Sequence, residues 1–148
     1  MTFIKCFPII VVCFIQFSEA ARILGVFPYP SKSHAILGQP LFVELAKRGH
    51  EVVFISPFPL KNQPKGYKDI AVTSKALFES YDKEMNKMFD VIDQNPFTLF
   101  KEMYENTAET VEYILNDEAV QELLNSKTEK FDLVFLDTLM DEALLGLS

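Results

Sequence analysis

Three features of the sequence predict an α/β domain built on a doubly wound, mainly parallel sheet. Short, almost wholly apolar runs, the mark of strands buried on both faces, recur along the chain. Longer segments between them carry apolar residues at the three-to-four-residue helical period. The two kinds alternate, which calls for parallel strands joined by right-handed crossovers. No internal repeat or low-complexity tract competes with that pattern, and 148 residues at 49% hydrophobic and 13% aromatic suffice for one domain with a sizeable core.

The first twenty residues stand apart. In MTFIKCFPIIVVCFIQFSEA, Lys5 precedes the apolar run 7–17, and Ser18 and Ala20 are the small residues ahead of a cut after Ala20. Residues 1–20 therefore read as a secretory signal peptide, because the apolar run is far shorter than the roughly twenty residues of a membrane-spanning helix. Removing it takes away one lysine and one glutamate, so the net charge stays at −7, which argues against nucleic acid as a partner. Cys6 and Cys13 leave with it, and the mature chain would fold in an oxidising compartment without an internal disulfide. No Asn-x-Ser/Thr site exists, so no N-glycan is expected.

The elements follow in order. RILGVF, residues 22–27, is a buried strand ended by Pro28 and Pro30. Leu37, Leu41 and Leu45 then recur every fourth position, predicting a helix over residues 35–48 that Ser31 or Ser33 can cap and Gly49 can close. Pro40 lies inside it, where it removes one hydrogen bond and favours a kink. HEVVFIS, residues 50–56, is a second strand stopped by Pro57 and Pro59. After a Lys/Gly/Pro-rich loop at 61–68, DIAV, residues 69–72, is a weaker third.

Two longer helices follow. One is marked by Leu77, Tyr81, Met85, Met88 and Ile92, the other by Phe100, Met103, Thr107, Val111 and Ile114, with Asn95-Pro96 between them. Their Phe and Met residues read as core, some able to line an apolar pocket. A short helix over 118–124 precedes FDLVFLD, residues 131–137, the strongest strand signal in the chain, and a further helical start lies behind it.

In the common doubly wound order 3-2-1-4, strands one and four are neighbours, and ligands bind in the crevice at their carboxyl ends. His34 lies in the loop leaving strand one, and Asp137 ends strand four. Topology thus carries two residues far apart in sequence to one switch point. Taken singly, His34 reads as a surface or capping residue and Asp137 as a helix cap. Together they allow a carboxylate to hold one imidazole nitrogen as donor and leave the other as acceptor. His50, after Gly49, reads as a solvated position at a helix end, and Asp141 with Glu142 as a charged helix face. Two histidines and no mature cysteine make no zinc set. Neither G-x-G-x-x-G nor a Gly-rich Lys-Ser/Thr loop is present, so the usual phosphate cradle is missing and a nucleotide pocket would lie elsewhere.

RILGVFPYPSKSHAILGQPLFVELAKRGHEVVFISPFP, with its SH after strand one and its LAKRGHEV passage, and FDLVFLDTLMDEALLGL together resemble the animal UDP-glycosyltransferases, particularly the insect enzymes. The resemblance covers nearly the whole of residues 21–148. It implies a GT-B architecture of two Rossmann-like domains about one cleft, with the acceptor on the N-terminal domain and the UDP-sugar on the C-terminal one. On this resemblance His34 is the base that deprotonates the acceptor hydroxyl and Asp137 its support, in metal-free, inverting transfer of a hexosyl or glucuronosyl group to a small lipophilic acceptor. It further implies that residues 21–148 are an incomplete acceptor domain binding no cofactor of its own. The UDP-sugar, as co-substrate, and the membrane would be engaged by a C-terminal domain and helix that these residues do not include, in the endoplasmic reticulum lumen, with homo- or hetero-oligomers as possible partners. The competing expectation is a non-catalytic truncated relative that binds lipophilic ligands or pairs with full-length enzymes. A free-standing dehydrogenase half is disfavoured by the missing glycine fingerprint.

Overall fold

The computed structural model describes residues 20–91, 95–138 and 143–147. The expected signal peptide up to its nineteenth residue, Ile92, Asp141 and Glu142 lie outside them. Four parallel strands, β1 (Arg22–Val26), β2 (Glu51–Ser56), β3 (Tyr67–Ala71) and β4 (Leu133–Leu136), form one sheet in the order β3-β2-β1-β4. The predicted order of strands is the observed one. Helix α1 (Lys32–Lys47) joins β1 to β2, and α2 (Lys75–Val91), α3 (Pro96–Leu115) and α4 (Glu118–Asn125) lie between β3 and β4. A short 3-10 helix, Ala143–Leu147, follows β4. Among the described residues no helix is long and apolar enough to cross a membrane.

The strands are apolar on both faces because both faces are covered. Ile23, Val52, Phe54 and Tyr67 face α1 and pack with Phe42 and Ala46. Leu24, Val26, Val53, Ile55 and Ile70 face the other way, against Leu77 of α2, Val111 and Ile114 of α3, Val120 of α4 and Leu144. The α1 side is an aromatic layer: the Phe42 ring lies 4.9 Å from Phe54, 5.5 Å from Phe135 and 5.8 Å from Phe27. Gly25 on β1 makes room for it, since a Cβ there would stand 2.5 Å from Phe42 Cζ.

Several local expectations are revised. Helix α1 begins at Lys32, earlier than the leucine spacing suggests, and turns Leu37 and Leu41 outward while Leu45 packs at the edge of the core. Leu37 is 79% exposed, and Ile36 and Leu41 are exposed with it, while Ala35, Gly38, Phe42 and Ala46 are buried. Small residues line that face because the phenylalanines beneath it leave no room for leucines. Ser31 is the N-cap but makes no capping bond through its side chain; its Oγ lies 2.8 Å from Ser33 Oγ. Pro40 is inside the helix on the exposed side, where water can take up the carbonyl it leaves unbonded. Gly49, at φ 98°, reverses the chain after the Arg48 C-cap.

Phe100, expected in the core, is exposed together with Phe97 and Tyr104, while Thr107, on the predicted stripe, and Thr110 are buried. Asn95-Pro96, read as the break between two helices, is also the start of the second: Asn95 caps α3 by accepting from Phe97 N–H at 3.0 Å, with Pro96 in its first turn. Strand β4 is shorter than predicted and lies at one end of the described sheet, with Leu133 exposed and Val134 to Leu136 half-buried. Its approach is pinned by a backbone clasp, Arg22 N–H to Asp132 Oδ2 at 2.7 Å and Asp132 N–H to Arg22 O at 2.8 Å.

Candidate functional site

The register of the central strands builds the site. Val26 of β1 is paired with Leu136 of β4, and the next residue, Asp137, donates its N–H to Val26 O at 2.9 Å. Asp137 is thereby held by the sheet one residue past the strand, where its carboxylate overhangs the carboxyl end of β1. From β1 the chain runs through Phe27-Pro28-Tyr29-Pro30, of which the prolines and Tyr29 are buried, into α1. The imino rings restrict Phe27 and Tyr29 to extended backbone, so this connection has few conformations to choose from. Phe27 N–H bonds Ile55 O at 2.9 Å, and its ring seats against Gly38, where a Cβ would lie 2.6 Å from Phe27 Cε1. Gln39 Nε2 donates to Phe58 O, tying α1 to the loop that leaves β2.

These restraints put His34, on the first turn of α1, beside Asp137. His34 Nδ1 lies 2.5 Å from Asp137 Oδ2 across 103 positions of sequence. An ionised carboxylate only accepts, so Nδ1 carries the proton and Nε2 holds the lone pair. The side chains are 24% and 21% exposed, partly withdrawn from water. An imidazole so arranged can take a proton at Nε2 and keep the resulting charge balanced by Asp137.

Neither Asp141 nor Glu142 falls within the described residues. Instead of pointing into solvent, His50 accepts the Ala21 N–H at its Nδ1, 3.1 Å away, and is half-buried at the amino end of β2, away from the crevice. A cleft of about 470 Å³ beside it, lined among others by Lys47, Glu51 and Lys65, is also at that amino end, opposite to where open α/β sheets bind ligands. Among the described residues no group of three or more His, Cys, Asp or Glu side chains gathers to hold a metal ion.

One participant has no role in the sequence reading. The Tyr29 ring, 5% exposed, lies 5.1 Å from the His34 imidazole at 51°. The signal available for it was an aromatic residue between two prolines in the loop leaving strand one.

The chain is 31% identical over 134 residues to the UDP-glycosyltransferase UGT5 of Dactylopius coccus, a match that covers 89% of this chain and 25% of that protein. UDP-glycosyltransferase UGT4 from the same organism is 28% identical over 91% of the chain and 26% of its own length, and UDP-glucosyltransferase 2 is 29% identical over 79% and 22%. The chain thus spans about a quarter of the length of the curated relatives it matches. No family model matches it, and no solved structure does. The parallel, Rossmann-like sheet and the similarity over nine-tenths of its length agree, and the chain is similar to UDP-glycosyltransferases over about a quarter of their length.

Proposed function

We propose that this chain is the acceptor-side part of an inverting UDP-glycosyltransferase, with His34 as general base and Asp137 as its orienting partner. The observation that carries the reading is the 2.5 Å contact between His34 Nδ1 and Asp137 Oδ2 at the carboxyl end of the central strands. An acceptor hydroxyl is a weak nucleophile at neutral pH and needs a base to take its proton as the bond to the sugar forms. His34 Nε2 accepts that proton while the acceptor oxygen attacks the anomeric carbon from the face opposite the nucleotide. The bond from that carbon to the UDP oxygen breaks, UDP departs with the electron pair, and the configuration inverts. Asp137 holds the tautomer and offsets the imidazolium charge. The sugar is a hexosyl or glucuronosyl group, the acceptor is small and lipophilic, and the work takes place in the endoplasmic reticulum lumen after removal of residues 1–20. Membrane attachment would come from a C-terminal helix outside these residues, and a homo- or hetero-oligomer is the proposed assembly.

The test joins this chain to the remainder of one of the Dactylopius coccus relatives and follows transfer to a hydroxyl acceptor. His34→Ala should lower kcat by about 10²–10⁴-fold, the span of a positioned general base, with UDP-sugar affinity nearly unchanged. Asp137→Asn should impair the same step, and the double variant should be little worse than His34→Ala, because the carboxylate acts only through the imidazole. Near-normal turnover in a folded His34→Ala protein overturns the assignment.

A further inference from the structure

We propose that Tyr29 is a positioning residue for His34, its ring holding the imidazole in the rotamer that commits Nδ1 to Asp137. This rests on the reading of His34 as a base, since only a base needs one nitrogen kept as acceptor. The χ2 rotation of a histidine is broad, and a flipped ring would present the other nitrogen to the carboxylate. A single hydrogen bond to Asp137 fixes a distance but leaves the ring plane to turn about it. The Tyr29 ring supplies the second constraint. Its centroid is 5.1 Å from that of His34, within packing range of two aromatic rings, and the planes are tilted by 51°.

The support behind Tyr29 is firm. It is 5% exposed, its φ/ψ choice is narrowed by Pro30 after it, and Pro28 before it is fully buried. Phe27 anchors the same segment by bonding Ile55 O at 2.9 Å and filling the notch at Gly38. The wall against which the imidazole rests is therefore tied to β2 and to α1 itself. The ring lies against the imidazole, where less water competes for the charge-assisted hydrogen bond to Asp137. Once the proton arrives at Nε2, an aromatic ring within about 6 Å favours the cation.

The two histidines give the experiment an internal control. His34 donates from Nδ1, whereas His50 accepts at Nδ1 from Ala21 N–H and so carries its proton on Nε2. Imidazole ¹⁵N resonances of the 148-residue chain in alkaline buffer should therefore show opposite tautomers. In Tyr29→Leu and Tyr29→Met, which retain most of the buried volume, the two His34 ¹⁵N resonances should move toward their mean as the tautomers mix. His50 should stay as it was, and Tyr29→Phe should restore the wild-type pattern. An unaltered His34 tautomer in either folded variant overturns the proposal, as does failure of both to fold while Tyr29→Phe remains folded, which would make Tyr29 a core residue only. If wild-type His34 lacks the Nδ1 proton, it is the His34–Asp137 arrangement itself that fails, and the two results are distinct.

Discussion

At the scale of single residues, burial decides which polar groups are quiet supports and which are poised for chemistry. Asp69 on β3 accepts Leu60 N–H at 2.8 Å and the Tyr67 hydroxyl at 3.2 Å, holding the loop after β2 against the sheet. Burial pushes its carboxyl above the ordinary carboxylate range, although both hydrogen bonds pull the other way, and burial together with the Asp69 charge pushes the Tyr67 phenol up. A carboxyl raised in the folded state binds its proton more tightly there than in the unfolded chain. Its contribution to stability is therefore unfavourable at neutral pH and is relieved as pH falls through the raised folded value toward the ordinary one. Asn at this position can accept from Leu60 and donate to the Tyr67 oxygen without carrying charge. Asp69→Asn should thus lose the part of the acid-side stability gain that wild type shows in that window. Urea unfolding across mildly acidic pH checks this, and parallel pH profiles for the two proteins would contradict it. His50 is the opposite case, a residue whose place beside a glycine suggests solvent but whose ring closes the Ala21 backbone.

At the scale of elements, helix α1 matters most, since it carries His34 at its start and seals the aromatic layer with its middle. Gly38 is where those duties meet. Alanine in a helix interior is favoured over glycine by about 1 kcal/mol. Here the added Cβ would stand 2.6 Å from the Phe27 ring, which is boxed in by Phe54 at 5.1 Å and Phe42 at 5.8 Å. Overpacking of that kind costs about 1–3 kcal/mol, so it outweighs the propensity gain. Gly38→Ala should destabilise the chain by about 1 kcal/mol, seen as a lower urea midpoint at unchanged slope. A raised midpoint would mean the Phe27 ring can move aside. Such movement would also disturb the Pro-Tyr-Pro segment, so the His34 tautomer should respond in the same variant.

At the scale of the whole molecule, the doubly wound order brings the carboxyl ends of β1 and β4 side by side, and the turn between β1 and α1 lacks a glycine fingerprint. The turn from β1 to α1 is spent on prolines, Tyr29 and His34, where a dinucleotide-binding sheet would place its glycine fingerprint. On the proposed function, a UDP-sugar would then be held by parts of the enzyme outside these 148 residues. Calorimetric titration of the chain alone with UDP-sugar should give no binding under conditions where the chain joined to the rest of a Dactylopius coccus relative does bind. Micromolar affinity in the isolated chain would overturn this expectation.

The sequence by itself determined the alternation of strands and helices, the order β3-β2-β1-β4 and the meeting of His34 with Asp137. Strands buried on both faces declare themselves by continuous apolar runs, and right-handed crossovers leave few ways to order them. Leu77, Val111 and Ile114 are buried as their spacing predicts, but only the tertiary structure decided where that spacing misleads, because it reports a period and not what lies across from it. In α1 the aromatic layer selected Ala35, Gly38, Phe42 and Ala46 and left Leu37 and Leu41 outside; in α3, on the other face of the sheet, Thr110 is buried and Phe100 exposed. The partner of His50 was likewise illegible in one dimension, since its contact with Ala21 joins segments that approach only after the sheet has formed, while that of Tyr29, five residues on, depends on how the Pro-Tyr-Pro turn is folded.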